Sequence, residues 1–333
     1  MEFTHRIKRA IKNKLLAPLM KKYSLSIAGL IAHNLAILPG NPAHETFYKY
    51  GFHLLRKHYY LPIPEETDVS GNFWENQSEL VGVDMNSELA LQNLENVFPI
   101  YMPEFRSKFP LHKTGDPKRF YLINGGYMAV DAHVYYAFIR HYKPRRIIEI
   151  GAGNSTLLGG IACLQNQQET GRPTELISID PFPPSWLAGG IPGVSRILES
   201  RIQDVGMEMF TALEKDDILF IDSSHVIRAG GDVQFEYLEI LPRLSPGVLV
   251  HIHDISLPRA YPKVYYENQL YWNEQYFLQA FLLFNSHFEV LWPGNYMILK
   301  YPEKVRAVFP EYHDMRQQYP LSEPSAFWMR VRQ

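Results

Sequence analysis

The sequence of 333 residues has little cysteine, little net charge and no long apolar run. Its single cysteine, Cys163, excludes an intramolecular disulfide and fits a reducing compartment, so a cytoplasmic protein is expected. A formal net charge of −2 excludes a chain-wide basic field, so no nucleic-acid partner is expected. The apolar stretch at 24–38 is too short to span a bilayer comfortably.

Positive charge is concentrated in residues 1–22, which hold seven Lys or Arg residues against Glu2 alone. Apolar residues recur there at helical spacing, although Pro18 should kink or end a helix. Such a segment can make weak contact with an anionic membrane surface. Alternatively, the segment packs on the rest of the protein and leaves its basic residues in solvent. Both interpretations remain open.

The chain changes character near residue 121. Residues 1–120 are irregular and carry several prolines and aromatic clusters, which predicts an extension of short helices and loops. We expect this extension to cover a crevice or to form a subunit contact in a homo-oligomer. The part from 121 to 333 alternates short apolar strands with helices, which predicts an α/β domain with a parallel sheet covered on both faces. Strands are predicted at 146–150, 175–180, 195–199, 217–222 and 247–253.

The last predicted pair of strands lies at 288–291 and 296–299. The WPGN segment between them, at 292–295, suits a tight reversal. The pattern therefore predicts an antiparallel hairpin at one edge of the sheet, which a plain dinucleotide-binding fold does not usually have.

A glycine-containing loop directly follows the first predicted strand, in the segment EIGAGNST at 149–156. Gly151 and Gly153 let the backbone turn sharply and approach a ligand closely. The third glycine of the dinucleotide fingerprint is lacking, so a pyrophosphate is less expected here than an adenosyl amino acid. A tight turn without a ligand is the alternative interpretation.

Acidic and amide residues follow the next two strands. Asp180 ends the second strand, where a carboxylate can accept hydrogen bonds from both hydroxyls of a ribose, or serve as a helix cap or solvated loop carboxylate. Gln203 and Asp204 follow the third strand and can reach an adenine amino group. Asp204 can equally be the N-cap of a helix predicted at 205–213.

Asp222, His225, His253 and Asp254 follow the fourth and fifth strands, which are neighbours in a doubly wound sheet. Their side chains are therefore expected to converge. Three roles remain open: a histidine general base, a site for a divalent metal bound by all four residues, and a buried polar network without a metal. Histidine ligands would disfavour magnesium, which prefers oxygen, and would suit a softer metal.

Together these segments resemble the class I S-adenosylmethionine-dependent methyltransferases over about residues 121–300. More narrowly, segments at 58–64, 124–127, 222–225, 251–255 and 272–276 resemble a bacterial branch associated with polysaccharide and natural-product gene clusters. The resemblance implies a Rossmann-like, doubly wound and mostly parallel sheet of seven strands that binds S-adenosyl-L-methionine. It implies that the glycine loop lies against the methionine part, that Asp180 holds the ribose and that Asp204 lies near adenine. It also implies that Tyr127 and Asp131 border the site.

The residues at the strand ends and the family resemblance together define the predicted site. Its cofactor-binding candidates are Tyr127, Asp131, Glu149, Gly151, Ala152, Gly153, Asn154, Ser155, Asp180, Gln203, Asp204 and Asp222. Its catalytic candidates are His225, His253 and Asp254, and Glu274 is assigned either to the acceptor side or to bracing its own helix.

The expected reaction is O-methylation of a small hydroxylated acceptor, such as a sugar or a natural product. A nicotinamide-dependent oxidoreductase is the first alternative, and the missing third glycine argues against it. A non-catalytic scaffold with the same fold is the second alternative, and the convergent Asp and His residues argue against that one. Another activity grown on the methyltransferase fold is the third, because a fold does not fix a function.

Overall fold

The computed structural model describes residues 23, 24, 26–33, 44–53, 55 and 57–332. The basic segment at 1–22, for which membrane contact is one of two interpretations, lies outside the described residues. The chain divides into two compact units, 1–64 and 65–333. The first unit contains a helical stretch at 26–33 and the helix α1 (His44–Lys49). No helix in the described part of the chain has the length and apolar character needed to cross a membrane.

The second unit is built on a seven-stranded sheet, as the sequence predicts. Its strands are β1 (Arg146–Ile150), β2 (Glu175–Ile179), β3 (Arg196–Leu198), β4 (Ile218–Ile221), β5 (Leu249–Ile252), β6 (Phe288–Pro293) and β7 (Phe327–Val331). Their spatial order is β3-β2-β1-β4-β5-β7-β6, and only β7 runs antiparallel to its neighbours. The predicted doubly wound and mostly parallel sheet is therefore confirmed. The domain boundary predicted between residues 120 and 121 stays a prediction.

Helices cover both faces of this sheet. They are α2 (Ser87–Gln92), α3 (Phe98–Lys108), α4 (Asp131–Tyr142), α5 (Asn154–Thr170), α6 (Glu208–Thr211), α7 (Asp232–Phe235), α8 (Lys263–Glu267), α9 (Glu274–Leu282), α10 (Gly294–Lys300), α11 (Pro302–Val308) and α12 (Glu311–Gln318). Successive strand residues point to opposite faces, so Ile147 packs in one core cluster and Ile148 in the other. The first cluster contains the aromatic side chains of α3 and α4, and the second contains Tyr237 and Leu278. Burial on both faces explains why the parallel strands are continuous apolar runs.

The predicted terminal hairpin is wrong in its second strand. Residues 296–299 belong to helix α10, and the strand that pairs with β6 is β7, about thirty residues further on. The chain enters α10 directly after Pro293, and the N–H of Gly294 makes the last bond beside the β6–β7 pairing, to the carbonyl of Ala326 at 2.9 Å. Met297 and Ile298 pack in the same core cluster, whereas successive residues of a strand point to opposite faces. An antiparallel edge of the sheet is nevertheless present, because β6 and β7 form it.

Candidate active site

The glycine loop after β1 is packed between the ends of β2 and β4. Gly151 has a φ of +89°, and a Cβ there would lie 2.1 Å from the backbone oxygen of Asp222. Its N–H donates to the carbonyl of Ile179 at 2.9 Å. Only glycine fits this position, because a side chain would meet backbone and not a movable group. Gly153, in contrast, has open space where a Cβ would stand, so the loop offers a surface there.

Glu149 supports the loop from its buried side and does not line an open crevice. Its side chain is fully buried and accepts hydrogen bonds from the hydroxyls of Ser155 and Thr156, both at 2.7 Å. The hydroxyl of Thr156 in turn accepts from the N–H of Gly153 at 2.9 Å. Burial raises the pKa of Glu149 to about 7. Glu149 and Ser155, both predicted to bind the cofactor, thus join β1 to the start of α5.

Asp180 lies beside the same loop at the end of β2. One carboxylate oxygen accepts the N–H of Ala152 at 2.9 Å, and the other accepts the N–H of Phe182 at 2.7 Å. The residue is half-buried and joins the first and second strand ends. Each carboxylate oxygen has a second lone pair, so both can still accept from a ribose hydroxyl.

A second loop lies against the glycine loop through a pair of asparagines. Asn154 donates its amide to Asn124 Oδ1 at 3.2 Å, and the same oxygen accepts the N–H groups of Gly126 and Tyr127 at 2.9 Å. The ring of Tyr127 is buried, and its hydroxyl lies 3.5 Å from Nε2 of His251. This arrangement brings Asn154 and Tyr127 together at one end of the loop.

Gln203 and Asp204 form a short 3₁₀ turn after β3. The amide of Gln203 donates to the carbonyl of Gly230 at 2.9 Å, and the exposed Asp204 pairs with Arg201 at 2.7 Å. The helix predicted at 205–213 starts only at Glu208 and is one turn long. The alternative of Asp204 as its N-cap is therefore wrong, because the ion pair with Arg201 engages that carboxylate instead.

Asp222 and Asp254 meet at the ends of β4 and β5, with His225 between them. Nε2 of His225 lies 3.3 Å from Asp222 Oδ1 and 3.5 Å from Asp254 Oδ2. One ligand atom from each of these three residues falls within 4.8 Å of the others. His225 and Asp254 both have positive φ values, 58° and 55°, so the backbone is strained where these side chains converge.

His253 lies beside these three residues but outside their closest grouping. Its Nδ1 is 3.5 Å from Asp222 Oδ1 and 3.6 Å from Asp254 Oδ2, and its Nε2 is 3.4 Å from Asp131 Oδ2. The carboxylate of Asp131 also accepts the backbone N–H groups of Ser325 and Ala326. Asp131, predicted to border the cofactor, therefore ties α4 to the segment before β7.

The carboxylates around His225 and His253 favour the positively charged form of both rings. Burial disfavours that charge, but hydrogen bonds to Asp222 and Glu274, together with Asp254, raise the pKa of His225 well above its usual value. Burial likewise opposes the charge on His253, yet Asp254, Asp222 and Asp131 raise its pKa well above the usual value. The shifts follow from carboxylates placed close to each ring in a water-poor site.

Sequence reasoning gave Glu274 little weight, yet the structure places it directly against His225. The carboxylate of Glu274 is fully buried, and its Oε2 lies 2.9 Å from Nδ1 of His225. The hydroxyl of Tyr237 donates to the other oxygen at 3.2 Å. Glu274 thus sets the orientation of the ring and directs Nε2 toward Asp222 and Asp254. The only signal in the sequence was its acidic side chain at the start of a helix.

A pocket of about 340 Å³ opens beside this cluster. Asp254 and Trp272 line it on the side of the cluster, since the ring of Trp272 lies 4.3 Å from that of His225. Gly125 and Gly126 line it on the side of the glycine loop. We refer to this cavity as the acceptor pocket. Its volume lies at the small end of the range for ligand sites, roughly 300–1,000 Å³.

The comparisons with known proteins agree with this architecture. Residues 148–255 match the model of a family described as a methyltransferase domain. An uncharacterised protein of Archaeoglobus fulgidus is 32% identical over 169 residues, which is 48% of this chain and 74% of that protein. The chain belongs to the same family as the archaeal protein and contains a methyltransferase domain.

Two solved structures are also similar to this chain. The apo structure of CmcI-N160 matches with a TM-score of 0.30 and 13% identity over 62% of this chain and 72% of that chain. The SAH-bound Podospora anserina methyltransferase PaMTH1 matches with a TM-score of 0.35 and 14% identity over 72% of this chain and 88% of that chain. The narrower resemblance to a bacterial natural-product branch stays a prediction.

Proposed function

We propose that this methyltransferase uses S-adenosylmethionine to methylate a hydroxyl group of a small molecule. The observation that carries the proposal is the close packing of Gly151 against the backbone of Asp222. The glycine loop, which suits an adenosyl amino acid, packs directly on the strand end that begins the Asp222, His225 and Asp254 cluster. A methyl donor on the loop and an acceptor in the pocket would therefore meet at this cluster.

The residues around the loop fit the cofactor. Gly153 leaves open space, and Asp180 presents carboxylate oxygens with free lone pairs beside it. The missing third glycine disfavours a nicotinamide dinucleotide at the same place. S-adenosylmethionine supplies an electrophilic methyl group when bound, and the task of the chain is to hold the acceptor oxygen in line with it and to exclude water.

We further propose that Asp222, His225 and Asp254 hold a divalent cation. Two ligands bound to one ion at about 2.1 Å lie roughly 3.0–3.4 Å apart. The separations of 3.3 and 3.5 Å are close to that range. They are longer than charge-assisted hydrogen bonds, which measure about 2.7–2.9 Å. The contact between His225 and Glu274, at 2.9 Å, has that shorter length and so orients the ring.

The composition of the cluster indicates which cation it would take. Two carboxylates and one imidazole suit manganese, iron or zinc better than magnesium, which prefers oxygen ligands alone. A bound cation lowers the pKa of an acceptor hydroxyl. A metal-free histidine base is less favoured, because the nearby carboxylates raise the pKa values of His225 and His253 and so favour the protonated rings, which have no free nitrogen to accept a proton.

The test combines binding and turnover. Protein treated with chelator is titrated with Mn²⁺, Zn²⁺ and Mg²⁺ by calorimetry, and methyl transfer from S-adenosylmethionine to a panel of hydroxylated small molecules is followed by mass spectrometry. We expect Asp222→Asn and Asp254→Asn to lose cation binding and turnover, and the exposed Asp116→Asn to keep both. Full turnover in chelator-treated protein would overturn the proposed cation site and leave a histidine base as the explanation of catalysis.

A further inference from the structure

The two units of the chain carry opposite charges. Residues 1–64 hold ten Lys or Arg residues against Glu2 and Glu45, a formal charge of +8. Residues 65–333 hold 23 Lys or Arg residues against 33 Asp or Glu residues, a formal charge of −10. The small net charge of the whole chain therefore conceals a strongly basic first unit. An asymmetry of this kind indicates that the basic part meets an anionic surface.

The helical stretch at 26–33 in this unit presents an apolar stripe to solvent. Ile27, Leu30 and Ile31 are 55%, 65% and 39% exposed, and their spacing of three and four residues places them on one face of the helix. All residues of the stretch are exposed, and none of them is acidic. Three large aliphatic side chains on one face are unfavourable in water, so the stripe indicates a contact surface.

The positive charge and the apolar stripe are adjacent in the sequence. Lys21 and Lys22 directly precede the helical segment, and five further Lys or Arg residues lie from Arg6 to Lys14. Segments that lie on membranes combine these two features. Their apolar residues enter the boundary between headgroups and acyl chains, while Lys and Arg residues are attracted to anionic headgroups.

The first unit also exposes several aromatic side chains, each by more than 60%: Tyr48, Tyr50, Phe52, Tyr59 and Tyr60. A tyrosine has an apolar ring and a polar hydroxyl, so it suits the region where a membrane meets water, and tyrosine is enriched there. The exposed rings are thus a second feature of the unit that fits a lipid surface.

The aliphatic stripe favours a lipid surface over a nucleic acid, which is the other common anionic partner. Proteins that bind single strands stack bases on aromatic rings in a basic groove, and most contacts to duplexes go to phosphate and sugar. Ile27, Leu30 and Ile31 can make neither kind of contact, but they can be buried beside acyl chains. A second copy of the chain is the remaining occupant, and the oligomeric state distinguishes it.

We propose that the first unit docks on a bilayer that contains anionic phospholipid. The stripe of Ile27, Leu30 and Ile31 is buried at the boundary between headgroups and acyl chains, and the Lys and Arg residues of 1–22 attract the headgroups. This inference does not depend on the proposed function, because none of these residues belongs to the candidate active site.

The first test needs no variant. The full chain is mixed with vesicles of phosphatidylcholine and, separately, with vesicles of equal parts phosphatidylcholine and phosphatidylserine, and the bound protein is measured by flotation. We expect binding to the mixed vesicles to be at least about tenfold stronger, and to weaken as salt is added, because salt screens the attraction between Lys or Arg and the headgroups. Equal binding to both kinds of vesicle, or binding to neither, would overturn the inference.

Two double variants separate the apolar contribution from the electrostatic one. Ile27→Ser with Leu30→Ser should weaken binding to the mixed vesicles by about tenfold or more, because two aliphatic side chains no longer enter the bilayer. Lys21→Glu with Lys22→Glu should weaken it by a similar factor and make the remaining binding less sensitive to salt. Unchanged binding by either double variant would contradict the proposal.

The matched controls lie in the second unit. Ile100→Ser with Leu238→Ser removes two aliphatic side chains that are 64% and 50% exposed. Lys113→Glu with Lys215→Glu reverses the charge of two exposed lysines. Both controls should bind the mixed vesicles as wild type does. A loss as large as that of the first-unit variants would overturn the assignment of the surface.

The other two occupants would give different results. Tighter binding of a DNA duplex or of single-stranded RNA than of the mixed vesicles, at the same salt concentration, would overturn the lipid surface. A wild-type dimer that Ile27→Ser with Leu30→Ser converts to a monomer, measured by analytical ultracentrifugation, would assign the stripe to a contact between copies and also overturn the proposal. We expect the circular dichroism spectrum of this variant to match wild type, because both side chains are exposed.

Discussion

The carboxylate of Asp180 accepts the backbone N–H of Ala152 at 2.9 Å. This bond joins the end of β2 to the glycine loop after β1, while the other oxygen of Asp180 holds the N–H of Phe182. The carboxylate is therefore fixed in place before a ligand arrives. Preorganisation of this kind lowers the cost of binding, because little of the site has to be ordered by the ligand.

Asp180→Asn should weaken binding of S-adenosylhomocysteine by about 10- to 100-fold, because a charged hydrogen-bond partner contributes about 1.5–3 kcal/mol. The matched control is Asp116→Asn. Asp116 also accepts the N–H of the residue two positions on, at 2.9 Å, but lies in an exposed loop. Calorimetric titration should show the control binding as wild type does. Equal affinities for Asp180→Asn and wild type would show that Asp180 does not contribute to cofactor binding.

The two glycines of the loop should respond differently to alanine. Gly151→Ala should lower the free energy of unfolding by roughly 2–4 kcal/mol, because its Cβ would stand 2.1 Å from the Asp222 backbone oxygen and φ is positive. Gly153→Ala should change stability by less than about 1 kcal/mol, since its Cβ meets open space, yet should weaken S-adenosylhomocysteine binding. Urea denaturation and calorimetry measure the two effects. Normal cofactor binding by Gly153→Ala would show that the ligand lies elsewhere.

The sequence predicted the sheet well because parallel strands that are buried on both faces appear as continuous apolar runs. The run at 218–221 is apolar throughout and fully buried, as expected. The strand at 327–331 was missed, because the local signal of the WPGN segment suggested a hairpin. Pairing across the fold decided the outcome: β6 pairs with β7, and the chain after Pro293 enters α10 instead of a return strand. Such long-range pairing is not encoded in a local pattern.

Glu274→Gln should weaken Mn²⁺ or Zn²⁺ binding by about 10- to 100-fold, as is typical when the partner of a ligating histidine is changed. Glu274 holds Nδ1 of His225 at 2.9 Å and so directs Nε2 toward the two aspartates. Calorimetric titration with the metal alone measures this effect without any turnover. The control is Glu267→Gln, an exposed glutamate of helix α8 that pairs with Lys263 of the same helix. Unchanged metal affinity in Glu274→Gln would contradict its positioning role.

Glu149 should give the protein a specific pH dependence. Its pKa rises from 4.5 to about 7 on folding, so the folded state favours the protonated form. The resulting stability is fully present below pH 4.5 and is lost as the pH rises through 7. Relative to Glu149→Gln, wild type should therefore lose about 3 kcal/mol between pH 4.5 and 8. Urea denaturation of both proteins at several pH values measures this difference, and a difference that stays constant with pH would contradict the assignment.

The sequence predicts several residues of the candidate site, but it does not predict the hydrogen bonds that connect them. The sequence indicated Asp222, His225 and Asp254 because residues at the ends of adjacent parallel strands must converge. It could not indicate that Asp131 bonds to the backbone before β7, since 194 positions separate it from Ser325. It also could not separate Glu149, which supports the loop, from a residue that touches a ligand. Those distinctions depend on the direction in which each side chain points.

We propose that the loop from Glu149 to Ser155, with Asp180 beside it, binds an adenosyl amino acid. Calorimetric titration of the full chain with S-adenosylhomocysteine and, separately, with NAD tests it most directly. We expect one S-adenosylhomocysteine molecule to bind per chain, more weakly in Asp180→Asn and Gly153→Ala, and no measurable binding of NAD. Binding of NAD without binding of S-adenosylhomocysteine would contradict it.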